Sequence, residues 1–208
     1  MTQSQVVETI STIIAEELEK AKKSNPFFTR FPESAQPENF KWCMHLYHLS
    51  KHFGELLKLR WERFPDVEHD VFSTHYEEEK DHAEMLRQWM TDLGLDDPEQ
   101  SFPNYETEDF ISLQYRAVSS MSENLSLLLV NSTAEGYAHA MYLHAYAILK
   151  RAGFTNLEYW EIHCEADEEH SNVYHHIQDM NDQELKEAEH LVRYTCRSLD
   201  IMLASWFK

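Results

Sequence analysis

Residues 159–172 read YWEIHCEADEEHSN. A helix turns about 100° per residue, so His163, Asp167 and His170 project from one stripe roughly 60° wide. Tyr159 and Tyr174 fall on the same stripe, and Ala166 lies slightly off its centre. Such a stripe normally faces a core, where three ionisable groups are costly unless paired or bound to a cation. Imidazole and carboxylate together suit iron, manganese or zinc. Taken alone, the spacing also fits an acidic, solvated helix face with two chance histidines, and Glu165, Glu168 and Glu169 do read as solvated. The rest of the chain has to decide.

The surroundings are helical. Only 4 Gly and 6 Pro occur in 208 residues, too few for the turns of a sheet-rich fold. Leu, Glu, Ala, Met, Lys and Gln, all good helix formers, are abundant. Periodicity and punctuation predict seven helices. The first spans residues 3–23, with Val6, Ile10, Ile13, Ile14 and Leu18 on one face. The second starts at Pro37 and ends before Pro65, and the third covers 67–93 with Gly94 as its C-terminal cap. A fourth begins near Glu108 and breaks around 121–123, and a fifth covers 123–151. Capping-box patterns at 155–158 (TNLE) and 181–184 (NDQE) start the last two. The expected fold class is all-α: a single-domain helical bundle over residues 1–208.

The formal charge is −19 with histidines neutral, which argues against nucleic acid and against an anionic membrane surface. Carboxylates that ligate a metal would account for part of it. Cys43, Cys164 and Cys196 form no CxxC pair, so neither a disulfide framework nor a cysteine zinc site is expected. The N-terminal twenty residues are amphipathic rather than an apolar leader, and no segment is long enough to span a bilayer. A cytoplasmic location is the expectation.

Two further stretches carry candidate ligands. Residues 75–86 (HYEEEKDHAEML) set Glu79 three and Glu78 four residues before His82, so either carboxylate shares its face. That is the Glu-x-x-His arrangement of carboxylate-bridged two-metal sites in helical bundles. Residues 127–143 (LLLVNSTAEGYAHAMYL) are mostly apolar, and Glu135 follows Leu127, Leu128 and Val130 at helical spacing, where a carboxylate needs a partner. The candidate metal set is therefore Glu79 or Glu78, His82, Glu135, His163, Asp167 and His170. It is too rich for a closed structural zinc, which takes four ligands. His45, His48 and His52 share a face that flanks the apolar stripe of the second helix. They read as solvent-facing or structural, with Tyr47 and His48 the candidates for a substrate pocket.

These motifs resemble the haem-oxygenase-like di-iron oxidases and oxygenases, relatives of the TenA and PqqC proteins. YWEIHCEADEEHSN is similar to that family's His-x3-Asp-x2-His helix, and EEEKDHAEMLRQWMTDLGL to its earlier ligand helix. Glu135 stands where the family draws a glutamate from the helix between. The resemblance covers residues 40–180. It implies a haem-oxygenase-like bundle holding two Fe ions, with Mn as the substitute metal and no haem. It also implies an enzyme that activates O2 and oxidises a small carboxylate- or amine-bearing molecule. Members differ at the first ligand: a spacing of three selects Glu79, and a spacing of seven falls on His75 here. Glu79, Glu78 and His75 all stay open for that position. The expected partners are a small-molecule substrate, O2 and a second copy of the chain in a homodimer. The competing readings are a ferroxidase or iron-storage bundle, a TenA-like protein without di-iron chemistry, and a metal-free interaction protein.

Overall fold

Gln3 to Ser24 form α1, whose buried stripe of Val6, Ile10, Ile13 and Ile14 packs along the last helix. The computed structural model describes residues 1–32, 36–65 and 71–207, except for the side chains of 166–169. After the short α2 (Pro26–Thr29) comes a 3-10 turn at Pro37–Phe40, and α3 (Cys43–Arg63) begins beyond it. There follow α4 (Val71–Glu79), α5 (His82–Asp92) and α6 (Tyr105–Ser120). Then α7 (Glu123–Ser126), a π-helical run at Leu127–Glu135 and α8 (Gly136–Arg151) continue from one another. The chain closes with α9 (Glu158–Ser171) and α10 (Asp182–Ser205). Among the described residues there is no strand, and no helix is long and apolar enough to cross a membrane.

The all-α expectation holds, with local corrections. The predicted third helix is two helices, broken at Lys80 and Asp81, and its first residues, 67–70, lie outside the described residues. Asp81 takes the N-cap position of α5, a place that aspartate prefers to a helix interior. The predicted capping box at 155–158 does not form. Asn156 instead donates to Asp92 at 2.6 Å, and α9 starts at Glu158. The second capping box is present, with Asn181 Oδ1 accepting from Glu184 N and the Glu184 carboxylate accepting from Asn181 N. α6 begins at Tyr105, ahead of its expected start, because Asn104 Oδ1 accepts from Thr107 N. Gly94 and Gly153 both adopt positive φ, at 74° and 90°, and close α5 and α8 as left-handed caps.

The core is assembled around α3. α4, α5 and α6 pack on it, while α9 lies against α8 and the π-helical run. Every residue of Leu127–Glu135 is buried. Thr133 Oγ1 donates to Leu128 O five residues back, at 2.7 Å, holding the wide turn. π-helical turns cluster at functional sites, and this one presents Asn131 and Glu135 to α4 and α9. Trp42 stacks on Trp206 in the core, with ring centroids 5.4 Å apart.

Candidate metal centre

Four helical elements converge on two groups of buried ligand-type side chains. Glu79, His82 and His163 form one group; His75, Glu135 and His170 form the other. Within each, one potential donor atom per residue lies within 4.8 Å of the others. The break after Glu79 ends α4 so that Glu79 and His82 both point inward, and Glu79 Oε2 lies 2.8 Å from His82 Nδ1. The same oxygen is 3.9 Å from His163 Nε2. The other oxygen of Glu79 turns the opposite way, 3.5 Å from His170 Nδ1. Glu79 thus faces both groups.

The hydrogen bonds fix two ring orientations. His163 donates from Nδ1 to Tyr159 O at 2.7 Å, which leaves Nε2 a lone pair directed inward. His170 donates from Nε2 to Glu78 Oε2 at 2.7 Å, which leaves Nδ1 inward. A ring whose outer N–H is held by a carbonyl or carboxylate is the usual form of a metal-binding histidine. Glu78 is half-exposed and meets the ring nitrogen of His170 other than the one that faces Glu79.

The electrostatics match a cation site. Burial works to raise the Glu79 carboxyl, yet the His82 hydrogen bond and the nearby histidines hold it well below the ordinary range. Glu135 is pushed up by burial and by Glu79. Burial lowers His163 to about 4 and takes His75 well below its usual value. Burial also works to lower His170, but Glu135, Glu78 and Glu79 together raise it. Glu79 Oε1 and His170 Nδ1 are buried without a hydrogen-bond partner among the described residues. Buried carboxylates and imidazoles with unmet inward lone pairs suit iron or manganese, so the donor set fits the metal that the family resemblance implies.

Of the sequence candidates, Glu79, His82, Glu135, His163 and His170 come together here. His75 lies beside Glu135 and His170. Asp167 falls among the side chains outside the described residues, on α9 between His163 and His170. Glu165 is exposed.

An apolar cavity opens onto the centre. Leu46, Leu49, Phe53, Phe110, Met141 and Met202 form much of its wall, and Glu79, Glu135 and His163 border it. Ser50 and Tyr142 add hydroxyls, linked through Tyr159, whose hydroxyl is 3.1 Å from Ser50 Oγ and 2.7 Å from the Tyr142 hydroxyl. Tyr142 also stacks on the His163 ring at 4.2 Å. Neither Tyr47 nor His48 lines this cavity. They lie on another face of α3, where the Tyr47 hydroxyl bonds Glu99 and His48 sits against the backbone of Pro98 and Ser101. Residues four apart on α3, Leu46, Ser50 and the nearby Phe53, face inward instead.

Sequence reasoning missed Arg60 and Asn131. Arg60, 0 % exposed, reaches Asn131 Oδ1 and His75 Nδ1. Its signal was there: Arg60 follows Leu56 and Leu57 on the buried stripe of α3.

Solved structures share this architecture. A domain of unknown function with a heme oxygenase-like fold from Shewanella denitrificans aligns over 93% of this chain and 88% of its own, with a TM-score of 0.71 and 18% identity. A TenA homolog from Pseudomonas syringae pv. tomato aligns over 98% of this chain and 91% of its own, with a TM-score of 0.71 and 13% identity. At these identities the likeness establishes the fold alone. No curated protein matches the chain. The profile of the iron-containing redox enzymes, however, matches residues 41–202, most of its length. The chain belongs to the iron-containing redox enzyme family.

Proposed function

We propose that this protein is a non-haem di-iron oxidase or oxygenase acting on a small molecule with an apolar body and a carboxylate or amine. The observation that carries the reading is the placement of Glu79, with one carboxylate oxygen toward His82 and His163 and the other toward His170. Glu79, His82 and His163 would hold one iron. Glu135 and His170, with Glu79 shared, would hold the second. Asp167 is the further carboxylate that the sequence supplies on the same helix. Ferrous iron in such a site supplies the reductive activation of O2.

The chain's own residues do the rest. Leu46, Leu49, Phe53 and Phe110 shape an apolar chamber that takes a substrate's hydrocarbon part. Ser50 and Tyr142 offer hydroxyls to its polar group. Among the described residues the lining contains no lysine or arginine, so these offer a substrate carboxylate no cation.

A TenA-like reaction through a cysteine nucleophile is disfavoured. Burial pushes the Cys196 thiol up to about 12 and Cys164 up to about 11, and Cys43 is raised well above its usual value. Such thiols are inert, and none lines the cavity.

The test is anaerobic Fe(II) loading, then admission of O2 with a panel of aliphatic carboxylates and amines, with products read by mass spectrometry. An oxidised organic product supports the proposal. Oxidation of Fe(II) alone, with every organic compound recovered unchanged, would favour iron handling instead.

A further inference from the structure

Arg60 reaches the centre from α3 and carries information about His75. Its guanidinium lies over the Phe72 ring at 4.3 Å, with Nη1 2.6 Å from Asn131 Oδ1 and Nη2 2.9 Å from His75 Nδ1. Guanidinium has N–H donors and no acceptor. Asn131 Nδ2 also approaches His75 Nδ1, at 3.2 Å, and donates to His170 O at 3.0 Å. The amide orientation is fixed twice over. Reversing it would set its NH2 against the Arg60 donor and its oxygen against the His170 carbonyl.

His75 Nδ1 therefore meets donors only and must accept. A neutral ring that accepts at Nδ1 carries its proton on Nε2. That nitrogen is 3.0 Å from Glu135 Oε1 and donates to it. The arrangement is the reverse of His163 and His170, whose outer nitrogens meet acceptors and whose inner lone pairs are free. Nearness alone places His75 in the second group, but its inward nitrogen is occupied by hydrogen.

We infer that His75 is not an iron ligand but a positioning residue, held proton-inward by Arg60 and Asn131 so that it donates to Glu135 Oε1 and leaves Oε2 for the metal. The inference rests on the two-iron reading above only for the identity of the metal. Arg60 and Asn131 act through His75 and are likewise positioning residues.

Two measurements test it. Long-range 1H–15N NMR of metal-free, 15N-histidine-labelled wild type should find the His75 proton on Nε2, the signal being assigned by its loss in His75→Gln. In Arg60→Met the ring is released and the Nδ1–H form should appear. A wild-type proton on Nδ1 would overturn the inference. In the second measurement, anaerobic Fe(II) titration, His75→Gln keeps an amide donor for Glu135 and should retain the wild-type iron stoichiometry. His75→Leu should keep that stoichiometry with affinity weakened about tenfold, the range for lost outer partners. Loss of iron in His75→Gln to the extent seen in His170→Ala would also overturn it. If wild type takes up no iron, the two-iron reading fails, and the NMR measurement alone decides where the His75 proton lies.

Discussion

Oε1 of Glu79 stands 3.5 Å from Nδ1 of His170, both atoms buried and neither with a hydrogen-bond partner among the described residues. Two inward lone-pair sites this close are unfavourable without a proton or a cation between them. The same carboxylate bonds His82 with its other oxygen, so whatever neutralises one contact is tied to the other.

His163 and His170 belong to different groups, so their losses should differ in place but not in size. His163→Ala and His170→Ala should each lower bound Fe(II) from about two per chain toward one, and the double variant toward none. The exposed Glu165→Ala should not change iron content. Elemental analysis after anaerobic loading and desalting measures all four. Unchanged iron in both single variants would contradict the ligand assignment.

How far the site could be read from the sequence depended on the residue. His163 and His170 were visible because helix periodicity fixes their common face, whatever surrounds it. The choice among Glu79, Glu78 and His75 was not, since all three lie within reach of His82 on an unbroken helix. The turn at Lys80 and Asp81 separates them, sending Glu79 inward and Glu78 outward to His170. Which face of α3 borders the apolar cavity could not be chosen from the sequence, because one helix does not show which neighbour covers it. Arg60 stands in the last turn of α3, where a basic residue is common and usually solvated, so only its place on the buried stripe marks it. The π-helical register around Glu135 depends on packing from several elements and leaves no simple periodic trace.

Glu78 should act on His170 rather than on metal. Glu78→Ala should weaken Fe(II) binding about tenfold while leaving the stoichiometry intact, as loss of an outer carboxylate does. An iron lost outright from this variant, in the same titration, would make Glu78 a ligand.

Burial of His163 should cost the metal-free protein stability on acidification. His163 titrates near 4 in the fold against 6.5 in an unfolded chain. Above pH 6.5 both states leave it neutral. Below that, the unfolded chain takes up a proton that the fold refuses, so stability is lost progressively down to about pH 4. At pH 5 the cost from His163 alone is on the order of 2 kcal/mol. His75 is shifted the same way, whereas the raised Glu135 and His170 oppose it over the same range. The His163 contribution is therefore read as a difference: between pH 7 and pH 5 the melting temperature of the wild-type apoprotein should change less favourably than that of His163→Asn. The same change in both proteins would contradict the buried, neutral state of His163.

Cavity size should be separable from metal binding. Ala138 lines the apolar chamber and is not a candidate ligand. Ala138→Phe should leave iron content unchanged and reduce binding of a fluorescent aliphatic probe at least tenfold, with a stability cost of about 1–3 kcal/mol from overpacking. Undiminished probe binding would move the substrate site elsewhere.

Whether two metals share Glu79 is decided by anaerobic Fe(II) titration of the reduced apoprotein beside Glu79→Ala, with iron per chain read by elemental analysis. Wild type should bind about two iron ions and Glu79→Ala fewer than one, because removing a shared carboxylate strips a donor from both sites at once. Two irons retained in a folded Glu79→Ala, or no more than one in wild type, would contradict that sharing.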